Sequence, residues 1–226
     1  MEHFGVTVKP GKYGLKLNRE TYAIINNRNS LGKFPSVGDW YADPEGKYYT
    51  DEWCQKHRKD CLENFDLSMR FFASLSHEEF NEEIDKFLKA NKKFKEVSDL
   101  KEYDGEPGYY LMILDEYCQI YVGTSHDIKR RIQQHWTQTK SFDRLLFPIG
   151  AVTKSVLSID VFRALDTTRI FAYRTDTTYE HEDSFINQFS QKFISNRIGG
   201  GRLEAGPLGL LQAIGTRKSK ELSELS

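Results

Sequence analysis

The sequence predicts a protein of the α/β (α+β) class. Apolar residues recur at helical spacing in three segments, about 77–97, 128–136 and 180–193. Short runs rich in β-branched and aromatic residues, which are typical of strands, lie between these segments. A chain of 226 residues is long enough to bury a substantial core. The pattern therefore predicts a globular fold that contains both helices and strands.

The composition limits the class of protein. Charged residues make up 29% and aromatic residues 13% of the chain, a profile typical of a globular protein in water. The formal net charge of -1 excludes a polycation but allows a local basic surface. Three cysteines are too few for a disulfide framework, and no apolar run reaches the roughly 18 residues that span a bilayer. We therefore expect a cytoplasmic protein with no membrane partner.

Residues 1–100 are expected to form an N-terminal accessory region. Up to about residue 65 this region is rich in Gly, Pro, Asn and aromatic residues, which suggests short strands or irregular structure. Ser76 and Glu79 then have the spacing of a capping box and predict the start of a helix over about 77–97. Acidic residues come early in this helix and lysines late, as the helix dipole favours.

A boundary is expected within residues 99–108, whose sequence DLKEYDGEPG is rich in turn-forming residues. We place a second region at 101–215 and a frayed polar tail at 216–226. The second region is also expected to contain two strands outside the hairpin, at 144–150 and at 169–175. An added structural helix is expected within 157–173.

Two strand-like runs follow the boundary, GYYLMIL at 108–114 and QIYVG at 119–123. The four residues between them are few enough for an antiparallel hairpin. In that hairpin Tyr110 and Tyr121 fall roughly opposite each other, although a slip of one residue would send them to different faces. Taken alone, this pair is best explained as core packing, because tyrosine is a preferred strand residue.

A basic helix is expected directly after the hairpin. Either Asp127 or Ser125 is a plausible N-cap. Arg131 and His135, four residues apart, form a row on the face next to the apolar stripe. That stripe repeats every four residues and consists of Ile128, Ile132 and Trp136.

The order of these residues resembles the GIY-YIG nuclease family. The two halves of the family motif stand here as Gly108-Tyr109-Tyr110 and Tyr121-Val122-Gly123, and Arg131 and His135 follow on the helix. Tyr109 and Val122 replace the isoleucines of the motif at apolar strand positions. Tyr109 either belongs to the core or adds a third hydroxyl group near the site. The resemblance covers a little under half of the chain.

The resemblance implies a small central antiparallel or mixed β-sheet flanked by helices, and hydrolysis of DNA phosphodiester bonds. It also implies a carboxylate on a later helix and an asparagine after it. Glu182 suits the first position, with Glu180 as its competitor on a different helix face, and Asn196 suits the second. The catalytic set implied by the resemblance is therefore Tyr110, Tyr121, Arg131, His135, Glu182 and Asn196.

Each member of this set has an expected role. Glu182 would hold a single Mg²⁺ (or Mn²⁺) ion, which tolerates one protein carboxylate because it keeps several waters. Arg131 would neutralise the phosphate. Tyr110 is the expected general base, and Tyr121 would orient the water or the phosphate. A tyrosine with a pKa of about 10 needs nearby positive charge to act as a base near neutral pH. His135 would help the deprotonation by forming a hydrogen bond with a tyrosine hydroxyl.

Double-stranded DNA is the expected partner. Residues 124–174 contain nine basic and four acidic residues. This excess of positive charge suits a surface that binds phosphates, but a solvated charged surface would also show it. Because one such site cuts one strand, a double-strand cut would need either a homodimer or two sequential events. A restriction or defence role is favoured over repair, recombination, mobility or an inactive binding module. The residues expected to contact DNA are Lys129, Arg130, Lys140, Arg144, Arg163 and Arg169.

Overall fold

The computed structural model describes residues 1–26, 49–147, 150–176 and 178–197. Its architecture is α+β, as the sequence predicts. The strands are β1 (Glu2–His3), β2 (Val6–Thr7), β3 (Lys95–Glu96), β4 (Gly108–Leu114), β5 (Gln119–Ser125) and β6 (Arg169–Arg174). Four of them form a central antiparallel sheet with strand order β3-β6-β4-β5, and β1 and β2 form a separate two-stranded ribbon.

Helices cover both faces of the sheet. The α-helices of the described residues are α1 (Arg19–Tyr22), α2 (Asp51–Ala73), α3 (His77–Ala90), α4 (Ile128–Thr137) and α5 (Glu182–Ile186). One hydrophobic cluster packs α2 and α4 against one face, and a second packs α3 and α5 against the other. None of these helices has the length and apolar character needed to span a bilayer.

The central strand β4 is buried along its whole length. Alternate side chains enter different clusters, so Tyr110 and Met112 lie on the α2–α4 face whereas Tyr109 and Leu111 lie on the α3–α5 face. Both clusters also contain residues from before the expected boundary at 99–108, and β3 pairs with β6. The described part of the accessory region thus helps to build the core on which the hairpin rests.

The hairpin register places the two motif tyrosines on the same face. Tyr110 pairs with Gly123, and Met112 pairs with Tyr121, so Tyr121 lies diagonally across from Tyr110 rather than opposite it. A Cβ atom on Gly123 would overlap the phenol ring and hydroxyl of Tyr110. Gly108 has a φ of +150°, and a Cβ there would overlap the carbonyl oxygen of Tyr173. The two motif glycines are therefore required by close packing within the sheet.

Two predicted helices are shorter than expected. The helix predicted over 77–97 ends at Ala90, because the Asn91 side chain donates a hydrogen bond to the Phe87 carbonyl and the following residues turn into β3. The helix predicted over 180–193 is only α5, after which the Ser190 amide donates to Glu83 instead of continuing the helix.

Two other predicted elements have a different structure. The described residues of 144–150 form turns and no strand, and the preceding 3₁₀ turn Phe142–Arg144 leads into them. The helix expected within 157–173 is replaced by two 3₁₀ turns, Ile159–Val161 and Ala164–Asp166, followed by β6. The Asp166 carboxylate stabilises the start of the second turn, because it accepts the amide hydrogen of Arg163, the residue before that turn, and it also accepts the amide hydrogen of Leu17. The tail predicted at 216–226 lies outside the described residues.

We predict that Gly123→Ala lowers the free energy of unfolding by about 1–3 kcal/mol, the usual cost of overpacking. The added methyl group would displace the Tyr110 ring. Gly11→Ala is the control, because a Cβ on Gly11 meets no atom within 4 Å. Denaturant unfolding followed by circular dichroism measures both values. Equal stability of the two variants would contradict the tight packing between Gly123 and Tyr110.

Candidate active site

An open cleft of about 510 Å³ lies beside β5, one of the two outer strands of the four-stranded sheet. Three residues of the expected catalytic set line it, each from a different element. Tyr121 comes from β5, Arg131 from α4 on one face of the sheet, and Glu182 from α5 on the other face. The cleft also has lining residues that the sequence did not single out, among them His126, Gln134 and Tyr179.

Tyr110 and His135 lie directly behind the cleft. Tyr110 is 0% exposed, and its hydroxyl is 2.8 Å from His135 Nε2. The Tyr121 ring lies 6.2 Å from the Tyr110 ring and 5.0 Å from the His135 ring, measured between centroids. The expected hydrogen bond between His135 and a motif tyrosine is therefore present, and it involves Tyr110. Tyr121 is the phenol nearer to the cleft.

Both phenols are protonated near neutral pH in this arrangement. Burial raises the pKa of Tyr110 well above its ordinary value, Tyr121 and Glu182 raise it further, and Arg131 lowers it. Burial and Glu182 likewise raise the pKa of Tyr121 against the opposing effect of Arg131. The positive charge of Arg131 alone does not balance burial. A reaction that uses either phenol as a base must therefore supply a proton acceptor or more positive charge.

His135 has a second partner that the sequence analysis did not identify. Its Nδ1 atom lies 2.8 Å from Asp160 Oδ1. Burial lowers the pKa of His135 and outweighs the opposing effect of Asp160. Burial would raise the pKa of Asp160, but the hydrogen bond with His135 and the charges of Lys140 and Arg131 outweigh burial and hold that pKa below its ordinary value. Asp160 is thus a carboxylate, and no sequence spacing ties it to the motif.

The choice between the two glutamates follows from their exposure. Glu182 is only 6% exposed and lines the cleft, whereas Glu180 is exposed to solvent. The hydroxyl of Tyr109 accepts a hydrogen bond from the His181 amide at 3.1 Å, and the Tyr109 ring packs against Phe185. Tyr109 therefore belongs to the core on the α3–α5 face, where it anchors the start of α5, and it is not a third hydroxyl in the cleft.

Asn196 contacts the backbone of β5. Its side-chain nitrogen donates to the Val122 carbonyl at 2.7 Å, and its side-chain oxygen accepts from the Val122 amide at 3.0 Å. The adjacent Ser195 amide donates to the Ile120 carbonyl at 2.9 Å. Asn196 thus takes the place of a neighbouring strand along the outer edge of β5. It holds the residue next to Tyr121, so it acts on the site through the backbone.

Of the six basic residues expected to contact DNA, Arg130 lines the cleft, and its side chain is exposed. Arg144 is exposed outside the cleft lining. Lys129 pairs with Asp104 at 2.7 Å, and Lys140 lies 3.7 Å from Asp160. These two lysines have acidic partners within the chain.

Two of the arginines expected to contact DNA are placed elsewhere. Arg163 is 5% exposed and donates hydrogen bonds to the carbonyls of Trp136, Gln138 and Asp160, so it stabilises the loop in place of the expected helix. Arg169 pairs with Asp115 at the end of the hairpin that lies away from the cleft. Neither arginine is brought to the site.

Glu182 is suited to a cation that needs few protein ligands. The described residues contain no group of three or more His, Cys, Asp or Glu side chains arranged to hold a metal. A structural or catalytic zinc site uses three or four such ligands. Mg²⁺ is commonly bound by one or two carboxylates together with waters and substrate phosphate oxygens. The donor set at this cleft therefore fits Mg²⁺ or Mn²⁺ better than zinc.

We predict that Asn196→Ala lowers the free energy of unfolding by about 1–3 kcal/mol, because it leaves buried polar groups of Val122 without these partners. Asn187→Ala is the control, since Asn187 is exposed at the end of α5. Chemical denaturation of both variants gives the comparison. If both substitutions lower the free energy of unfolding by the same amount, the side chain of Asn196 does not stabilise β5.

Comparisons of this chain with models of protein families, with curated proteins and with solved structures find no match.

Proposed function

We propose that this chain is a metal-dependent endonuclease that hydrolyses phosphodiester bonds in double-stranded DNA. The observation that carries the proposal is the convergence of Tyr121, Arg131 and Glu182 on one cleft, with the Tyr110–His135 pair behind it. Attack on a phosphate builds negative charge on its oxygens, so the reaction needs fixed positive charge and a proton acceptor near the phosphorus. Arg131 would supply the positive charge in the cleft, and the Tyr110–His135 pair behind it would supply the proton acceptor.

Arg131 is the group proposed to bind the scissile phosphate. Arg131 lines the cleft, and its positive charge lowers the pKa of both Tyr110 and Tyr121 against the effect of burial. A guanidinium is always charged and presents its donors in a planar fork that matches two phosphate oxygens. A phosphate bound there would lie next to Tyr121 and across the cleft from α5.

Glu182 is the residue proposed to hold one Mg²⁺ or Mn²⁺ ion. A divalent ion bound there would add positive charge beside the phosphoryl oxygens and favour ionisation of nearby hydroxyl groups. Glu182 enters the cleft from the face of the sheet opposite Arg131. The two charged groups therefore approach the phosphate from different sides.

Tyr110 is the proposed general base, with His135 as its proton acceptor. Because Tyr110 is protonated in the free protein, it can take a proton from water only as it releases its own. His135 Nε2, at 2.8 Å from the hydroxyl, is placed to receive that proton. Tyr121, which lines the cleft, would orient the attacking water or the phosphate.

The oligomeric state, the biological role and the cellular location are also part of the proposal. A single site cuts one strand, so a double-strand break requires a homodimer or two successive events. A restriction or defence role rests on the family resemblance, and a cytoplasmic location rests on the composition.

We expect the purified protein to nick supercoiled plasmid DNA with Mg²⁺ and not with EDTA. Arg131→Ala and Glu182→Ala should each reduce the rate by about 100-fold or more, since each removes charge that stabilises the transition state. Glu180→Ala is the matched control, two residues from Glu182 but exposed. Thermal unfolding checks that all variants fold. Nicking by Arg131→Ala and Glu182→Ala at the parent rate would refute the assigned site.

Arg130→Ala should weaken binding to a fluorescent DNA duplex. The slope of log Kd against the logarithm of the salt concentration should decrease by about one. The reason is that Arg130 is exposed at the cleft, where it can reach a phosphate. Fluorescence anisotropy in EDTA measures binding without cleavage. Arg169→Ala serves as the control, because Arg169 pairs with Asp115 away from the cleft. A larger effect from Arg169→Ala would place the DNA on another surface.

A further inference from the structure

Asp160 is held in place by several contacts from different parts of the chain. It lies in the 3₁₀ turn Ile159–Val161, its amide donates to Ser158 Oγ at 3.3 Å, and its carbonyl accepts from Arg163 Nη2 at 3.0 Å. One carboxylate oxygen, Oδ2, lies 3.7 Å from Lys140 Nζ. The other, Oδ1, points at His135 Nδ1. The carboxylate therefore has a fixed direction relative to the imidazole.

The contacts of His135 determine where its proton lies. An ionised carboxylate can only accept hydrogen bonds, so the atom facing Asp160 Oδ1, which is His135 Nδ1, must carry the hydrogen. His135 is 1% exposed and therefore favours the neutral ring, which holds one proton. Nε2 is then left with a lone pair, and the Tyr110 hydroxyl must be the donor in the 2.8 Å hydrogen bond.

We propose that Asp160 is a positioning residue that fixes the tautomer and orientation of His135, so that His135 can accept the proton of Tyr110. Tyr110, His135 and Asp160 would form one proton-transfer chain leading away from the cleft. The catalytic part of this inference rests on the proposed endonuclease function, whereas the position of the proton in the free protein does not.

In the proposed hydrolysis, a proton moves from the attacking water to Tyr110 as the Tyr110 proton moves to His135. The oxygen of the attacking water forms a bond to phosphorus while one of its protons passes to the Tyr110 oxygen. The Tyr110 proton passes to His135 Nε2, and the resulting imidazolium is stabilised by the Asp160 carboxylate. The bond from phosphorus to the leaving oxygen breaks, and that oxygen takes a proton from solvent. His135 later returns its proton to solvent through Tyr110, which restores the starting state.

Nitrogen-15 NMR of protein labelled at histidine tests the tautomer without any DNA. In the parent protein we expect His135 to show a protonated Nδ1 and an unprotonated Nε2, with the signal assigned by its loss in His135→Gln. In Asp160→Ala we expect the signal to shift toward the Nε2–H tautomer. Asp160→Asn provides a second variant of nearly the same shape if Asp160→Ala fails to fold. An unchanged Nδ1–H tautomer in the folded variant would overturn the proposal.

Plasmid nicking tests the catalytic consequence. Asp160→Asn should lower kcat by about 100-fold or more with little change in KM, because the removal of a residue that orients a base impairs proton transfer rather than binding. Asp104→Asn, which removes an exposed carboxylate paired with Lys129 of α4, should leave kcat unchanged. If Asp160→Asn changes the tautomer of His135 but leaves kcat unchanged, the proposed role of Asp160 in catalysis is overturned. If the parent protein does not nick DNA, the endonuclease proposal fails, while the NMR result still decides the position of the proton.

Discussion

The close approach of Tyr110 to Gly123 across the β4–β5 hairpin is the contact on which the rest of the site depends. No other residue type could occupy position 123 without overlapping the phenol ring. The register in which Tyr110 pairs with Gly123 also places Tyr121 on the same face as Tyr110. Because α4 packs on that face, His135 can reach the Tyr110 hydroxyl and Arg131 can enter the cleft.

The site lies at an outer strand because groups from both faces of a sheet can meet only at its edge. Arg131 approaches β5 from the α4 side and Glu182 from the α5 side. An outer strand leaves backbone groups without a strand partner, and here Asn196 pairs with both polar groups of Val122. The asparagine implied by the family resemblance therefore contributes by stabilising the strand that carries Tyr121. Tyr109 has a comparable part on the opposite face, where it anchors the start of α5.

Local signals predicted the elements nearest the site well. The sequence predicted the hairpin and the strand β6 from strand-like residue patterns, and it predicted the N-cap of α4 as Asp127 or Ser125, of which the structure has Asp127. The predictions failed where a distant contact ended an element, as where the Ser190 amide donates to Glu83 after α5. Counting charges along the sequence also does not show that Arg163 donates to backbone carbonyls or that Arg169 pairs with Asp115, because these partners come from distant parts of the chain.

The sequence by itself determined the hairpin, the helix after it and the residue types that the motif brings together, because strand pairing and helical spacing act over short distances along the chain. The tertiary structure alone decided which groups meet. It placed Glu182 rather than Glu180 in the cleft, put Tyr109 in the core, and set Asp160 against His135 across 25 residues of chain. Such contacts depend on how separate elements pack, and the packing of distant segments leaves no regular spacing in the sequence.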